Sequence, residues 1–159
     1  MSPIRERTRS EVRQAREAKR AHAASLGVDE AFVDHMVETF YGVVRDDDLL
    51  GPIFAERIED WPAHLARMKG FWRSILFNSG EFSGNPMQKH MAIPGLGQRH
   101  FSRWLALFYD TLRTLERDPE GTSLVAARAR SIADSLLTGI AVRRDGLSGS
   151  NAGKDLPHA

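Results

Sequence analysis

Apolar residues recur at three- and four-residue spacing in four stretches of this chain, and each stretch predicts an amphipathic helix. The first stripe is Phe32, Val33, Met36, Val37, Phe40, Tyr41 and Val44, with Asp29 placed to cap its start. It breaks at Asp46-Asp47-Asp48, a run that lacks the spaced carboxylates, glycine and closing glutamate of a calcium loop and reads as a solvated turn. Leu49-Leu50-Gly51-Pro52-Ile53-Phe54 then forms a compact apolar corner. A second helix opens at Asp60-Trp61-Pro62, buries Leu65, Met68, Phe71, Trp72, Ile75 and Leu76, and ends near Gly80. The third carries Phe101, Trp104, Leu105, Phe108, Leu112 and Leu115, and Asp118-Pro119-Glu120-Gly121 breaks it. The fourth carries Leu124, Val125, Ala129, Ile132, Ala133, Leu136, Leu137 and Ile140. No segment alternates with period two for long enough to predict a strand. The fold class is therefore all-α, with a small core built from two antiparallel helix pairs.

Between the second and third stripes lies a short segment fenced by proline, Asn85-Pro86-Met87-Gln88-Lys89-His90-Met91-Ala92-Ile93-Pro94. Asn85 suits an N-cap and Pro86 a first helical residue, while Pro94 forbids the helix from continuing. Helices shorter than about 12 residues are marginal in water, so tertiary contacts or a ligand must hold this one. His90 on it is either a surface cation near a helix end or a group that binds something. His64 stands one helical turn before Met68 and so faces inward, either as a core histidine bonded to a carbonyl or as a ligand.

Composition narrows the chemistry. At 159 residues with 42% hydrophobic content the chain fits one soluble domain. It has no cysteine, which removes disulfides, thiolate metal sites, iron–sulfur clusters and covalent haem attachment, and suits a cytoplasmic protein. A net charge of +1 creates no overall field towards nucleic acid or membrane, and no apolar run approaches the roughly 20 residues of a membrane span. Seven basic residues against three acidic ones between residues 5 and 20 make a basic leader over residues 1–28, partly helical or flexible, without aromatic residues to stack on bases. The tail, residues 144–159, is rich in Gly and Ser and is expected to be disordered. There is no phosphate loop and no Gly-x-Ser-x-Gly elbow, and His35 with Glu38 cannot supply the repeated Glu-x-x-His units of a di-iron bundle.

An inward tyrosine, a corner phenylalanine, an inward histidine, an isolated histidine on a short helix and an inward tryptophan follow one another on separate helical elements. In that arrangement residues 29–143 resemble a truncated haemoglobin of the third group. The residues that carry the resemblance are Phe40-Tyr41-x-x-Val44-Arg45-x-Asp47, Leu50-Gly51-Pro52-Ile53-Phe54, Trp61-x-x-His64, Gly70-Phe71-Trp72, Gly84-x-Pro86-x-x-x-His90 and His100-Phe101-x-x-Trp104-Leu105-x-Leu107-Phe108. The absence of any Gly-Gly pair agrees, since glycine motifs mark the other truncated groups. The resemblance implies a two-over-two globin fold holding haem b (iron protoporphyrin IX). By it, His90 is the proximal iron ligand and Phe54 stacks on the porphyrin. Tyr41, His64 and Trp104 form the polar distal rim that stabilises ligands, Met68 lies over the distal face, and Trp72 is among the cofactor contacts.

Neutral imidazole is a good ferrous ligand, and it leaves the sixth position to a small gas. The expected function is the binding of dioxygen, nitric oxide or similar small ligands in a bacterial cytoplasm. Nitric oxide dioxygenation or a peroxidase-like reaction, with an electron donor the sequence does not identify, fits better than bulk oxygen transport. No nucleic-acid or membrane partner is expected. The alternative is a haem-free helical interaction domain whose contact surface is the basic leader.

Overall fold

The computed structural model describes residues 8–115 and 118–159, the side chain of Leu147 excepted, and among them every regular element is helical. The start of the basic leader, residues 1–7, lies outside the described residues. From Thr8 onwards the leader becomes helix α1 (Arg9–Ser25), opened by a capping box in which Thr8 Oγ1 accepts from Glu11 N at 3.1 Å and Glu11 Oε2 accepts from Thr8 N at 2.9 Å. This helix packs on α4 (Trp61–Phe77), and Ala23 and Val28 are buried in the common core. Residue 29 is therefore not a packing boundary.

Helix α2 (Glu30–Arg45) buries all seven residues of the first stripe, with the Asp29 carboxylate accepting from Phe32 N at 2.8 Å. The apolar corner is itself a helix, α3 (Gly51–Arg57), and only glycine fits at its start: a Cβ on Gly51 would lie 2.7 Å from the Arg45 carbonyl oxygen. Helix α4 ends at Phe77, three residues before the expected Gly80, because Asn78 adopts the left-handed conformation (φ 57°) and returns its N–H to Ser74 O at 3.1 Å. Helix α5 (Pro86–Met91) starts as expected, with Asn85 Oδ1 accepting from Gln88 N at 3.0 Å. Helix α6 (Gln98–Thr114) is capped by the His100 ring, whose Nδ1 accepts from Gly97 N at 3.1 Å. Helix α7 (Pro119–Asp145) begins ahead of Leu124, the first residue of the fourth stripe, since the residues that stop α6 supply its N-cap, Asp118, and its first-turn proline. Helix α2 packs on α4, α6 on α7, and α2 on α6, which joins the two pairs into one core.

The expected disordered tail is ordered instead. Two 3-10 turns, Gly146–Gly149 and Ala152–Asp155, lead to Leu156, which is 2% exposed. Tyr109 Oη on α6 donates to Pro157 O at 2.8 Å, and Arg130 Nη2 on α7 donates to Leu156 O at 3.2 Å. Small, polar composition suggests a solvated segment, but here the missing side chain of Gly153 lets the backbone lie directly against Asp134 of α7. One leucine and two backbone acceptors then fasten the segment to both helices.

Candidate functional site

The α2–α3 corner and the first turn of α4 bring Tyr41, Phe54, Trp61 and His64 together. The His64 ring stands edge-on to Tyr41 at 5.2 Å between centroids and to Trp61 at 5.6 Å, while Phe54 meets Tyr41 edge-on at 5.8 Å and stacks on Trp61 at 6.3 Å. Arg45, at the end of α2, lies over the Trp61 ring at 4.3 Å and closes the group on its outer side. On the inner side Phe40 bridges the elements, 5.1 Å from Tyr41 and 5.3 Å from Trp104 of α6. Met68 follows His64 by one turn and is half-buried.

Two polar groups in this apolar box carry information. Burial raises the Tyr41 pKa well above that of an ordinary phenol, so the hydroxyl keeps its proton and is available as a donor. Both ring nitrogens of His64 are buried with no hydrogen-bond partner among the described residues. An unsatisfied buried polar atom costs about 1–3 kcal/mol, so two on one ring mark a place where something outside the chain completes the bonding. Desolvation, helped by the charges of Arg67 and Lys89, pulls the His64 pKa from 6.5 down to about 4, and the ring is neutral at neutral pH.

A pH dependence follows from that depression. Between pH 6.5 and about 4 the unfolded ring takes up a proton that the folded ring refuses, so folding stability is expected to fall as pH drops through this window. Urea unfolding of the wild type and of His64→Leu, compared at about pH 7 and about pH 4.5, should show a shallower loss in the variant. Identical losses in the two proteins would mean that the imidazole protonates in the folded state as readily as in water.

His90 stands apart from this group, half-buried on α5 and beside Phe101 of α6 at 6.3 Å between centroids. Its Nδ1 lies 2.6 Å from the Pro86 carbonyl oxygen. A carbonyl only accepts, so Nδ1 carries the proton and Nε2 keeps the lone pair that can bind a metal. Pro86, without an N–H of its own, both begins the helix and supplies that acceptor. The loop after α5 is fastened to α7 by Arg144 Nη2 donating to Leu96 O at 2.8 Å.

The structure thus brings Tyr41, Phe54 and His64 into one cluster, joins Trp104 to it through Phe40, and sets His90 on a separate element. Trp72, expected among the cofactor contacts, is fully in the core: it stacks on Phe108 at 5.2 Å, and Phe108 stacks on Trp104 at 5.4 Å. It backs Trp104 through an intervening ring. The helical stripe did not single out Trp61, Arg45 or Phe101 as site residues. Asp47 departs most from expectation. Its neighbours Asp46 and Asp48 are exposed, as a solvated turn requires, but Asp47 itself is buried and paired with Arg103. The Asp-rich run gives no hint of this, because the partner is 56 positions away.

A relative by sequence and a solved structure match this chain. Group 3 truncated hemoglobin ctb of Campylobacter jejuni is 34% identical over 110 residues, a stretch covering 67% of this chain and 86% of that protein. The crystal structure of the group III truncated hemoglobin from Campylobacter jejuni matches with a TM-score of 0.67 at 32% sequence identity, covering 71% of this chain and 91% of that one. No family model matches the chain.

Proposed function

Because the chain belongs to the group 3 truncated haemoglobin family, whose members are globin-type haem proteins that bind small ligands, we propose that it holds haem b through His90 and uses it on dioxygen, nitric oxide and similar diatomic ligands. The observation that carries this reading is the His90 ring, whose Nδ1 is committed to Pro86 O and whose Nε2 is left with a free lone pair on a helix too short to stand alone. The unpartnered nitrogens of His64, on the opposite side of the candidate pocket in role, suit a site completed by a bound group. When bound, haem supplies an iron with one coordination position for a small ligand.

The chain's own residues do the rest. Phe54 offers an apolar face to the porphyrin, and Met68 and Trp104 line the ligand side, with Trp72 and Phe108 backing Trp104. Tyr41 donates from an oxygen that keeps its proton, Trp104 donates from its indole nitrogen, and neutral His64 can donate or accept through either nitrogen. Each neutral hydrogen bond to a ligand contributes about 0.5–1.5 kcal/mol, so two donors slow dioxygen release by roughly one to two orders of magnitude. Slow release suits chemistry or protection better than bulk transport. We assign nitric oxide detoxification or a peroxidase-like redox reaction on that ground, with reducing equivalents from a separate electron donor.

The test is the absorbance of the purified protein before and after addition of haem. A Soret band, with dioxygen and nitric oxide each shifting it in the reduced protein, is the expected result. Colourless protein that refuses added haem would defeat the proposal and leave the helical domain with its basic leader as an interaction module. No helix among the described residues is long and apolar enough to cross a membrane.

A further inference from the structure

The geometry points to Asp47 and Arg103 as a positioning pair: we infer that their ion pair sets the register of α6 against α2, and thereby aligns the Trp104 indole with the Tyr41 hydroxyl as donors to one small ligand. The alignment part of this inference rests on the function proposed above, whereas the register part concerns the chain alone.

Asp47 is held from two directions. Its Oδ2 accepts from Leu49 N at 3.2 Å and Leu50 N at 2.9 Å, which fixes the carboxylate to the backbone of the α2–α3 corner, and its own carbonyl accepts from Gly51 N at 2.8 Å. Its Oδ1 accepts from Arg103 Nε at 2.7 Å, with Arg103 Nη2 on the same oxygen. The Asp47 side chain is 2% exposed and that of Arg103 is 50% exposed. The carboxylate is thus a fixed post, and the arginine is the arm that reaches it. One end of the tether lies six residues after Tyr41, at the end of its helix. The other immediately precedes Trp104.

Among the described residues, the ring contacts between α2 and α6 run through Phe40, to Trp104 and to Phe108. Tyr41 and Trp104 are connected through the Phe40 ring, by edge-on contacts of 5.1 and 5.3 Å. Edge-on ring pairs hold the two helices together over a spread of geometries, to which the charge-assisted hydrogen bond of Arg103 adds a narrow donor–acceptor distance at the end of α2. Donor–acceptor distances beyond about 3.2 Å weaken a hydrogen bond, so a small slide is enough to take one of two converging donors out of reach. The arginine end is half-exposed, and the buried carboxylate keeps its two corner amide donors when the arginine is removed. Its effect is therefore expected in alignment more than in folding.

The experiment compares wild type, Arg103→Ala, Arg103→Lys and Asp47→Asn. In a two-dimensional proton–nitrogen spectrum of the purified protein, the three tryptophans give three indole signals; Arg103→Ala should move that of Trp104 and leave that of Trp61 in place, and Arg103→Lys should restore much of the wild-type position. An unmoved Trp104 signal overturns the inference without any reference to haem. In the haem-loaded proteins, Arg103→Ala should raise the dioxygen dissociation rate about three- to tenfold and change the carbon monoxide rate by less than about twofold. The increase should largely vanish in a Trp104→Phe background, where there is no indole donor left to misalign. Equal acceleration of both gases, or the same increase with and without Trp104, would show general loosening and overturn the pairing role. Asp47→Asn keeps an acceptor for the corner amides and should reproduce the Arg103→Ala signature. A protein without a Soret band in which Arg103→Ala still moves the Trp104 signal would overturn the proposed function while the register part stands.

Discussion

His90→Gly is expected to leave a protein that no longer retains haem through purification, with a Soret band recovered only when imidazole is supplied. Helix α5 offers no second imidazole that could take over: its other side chains with a donor atom are Gln88, Lys89, whose ammonium has no lone pair to give, and the thioethers of Met87 and Met91, which are weaker ligands for this purpose. The Nδ1 bond to Pro86 O also disappears with the ring, so the six-residue helix loses an internal fastening as well as its ligand atom. Haem content measured by the absorbance ratio of Soret to protein bands, with and without added imidazole, reads the effect. Wild-type haem content in the variant would require a different proximal ligand and would remove the central support of the proposed function. His64→Ala is the control and should keep its haem. If haem were lost there while His90 variants kept it, the two faces of the pocket would be reversed.

The second large effect concerns ligand discrimination. Tyr41→Phe removes one hydroxyl from a side chain that is 5% exposed and packed edge-on against Phe40, Phe54 and His64, so the packing is nearly unchanged while a donor is lost. Dioxygen release should quicken by about two- to tenfold, the range that one neutral hydrogen bond covers. Carbon monoxide presents less negative charge at its outer atom, so its release should respond much less. The signature is a change in the ratio of the two rates. Trp104→Phe is expected to act in the same direction, and the double variant should depart from additivity if the two donors serve the same atom. Stopped-flow rates for both gases on the three variants decide the matter. Proportional changes for both gases would identify Tyr41 as a steric gate, and an unchanged dioxygen rate throughout would place both side chains outside the ligand's reach.

The helical stripes were legible because a 3.6-residue period is a property of the sequence itself, and all of Phe32, Val33, Met36, Val37, Phe40, Tyr41 and Val44 are buried as the first stripe predicts. Local chemistry also read well at Asn85-Pro86, where the cap and the first residue of α5 are adjacent letters. What escaped depends on partners distant in sequence. Asp47 looks like the middle of a solvated acidic run until Arg103 and two corner amides are seen around it. Trp72, which the resemblance puts among the cofactor contacts, lies in the core with the rings of Phe108 and Trp104 in succession on one side of it, a stacking that helical spacing does not report. The inward direction of His64 followed from its spacing to Met68. That its two nitrogens find no partner in the chain did not, since periodicity reports which way a side chain points and not what it meets.

The ordered segment after α7 bears on how the molecule is made. A chain emerges from the ribosome in the order of its sequence, so α6 and α7 are synthesised before Leu156 and Pro157, whose carbonyls accept from Arg130 and Tyr109. Until that segment docks, the phenol and the guanidinium have water as their alternative partner, and the apolar seat of Leu156 stays open. The helices can thus gather before this seam closes. Closing it depends on a short segment that supplies none of the side chains named for the candidate site.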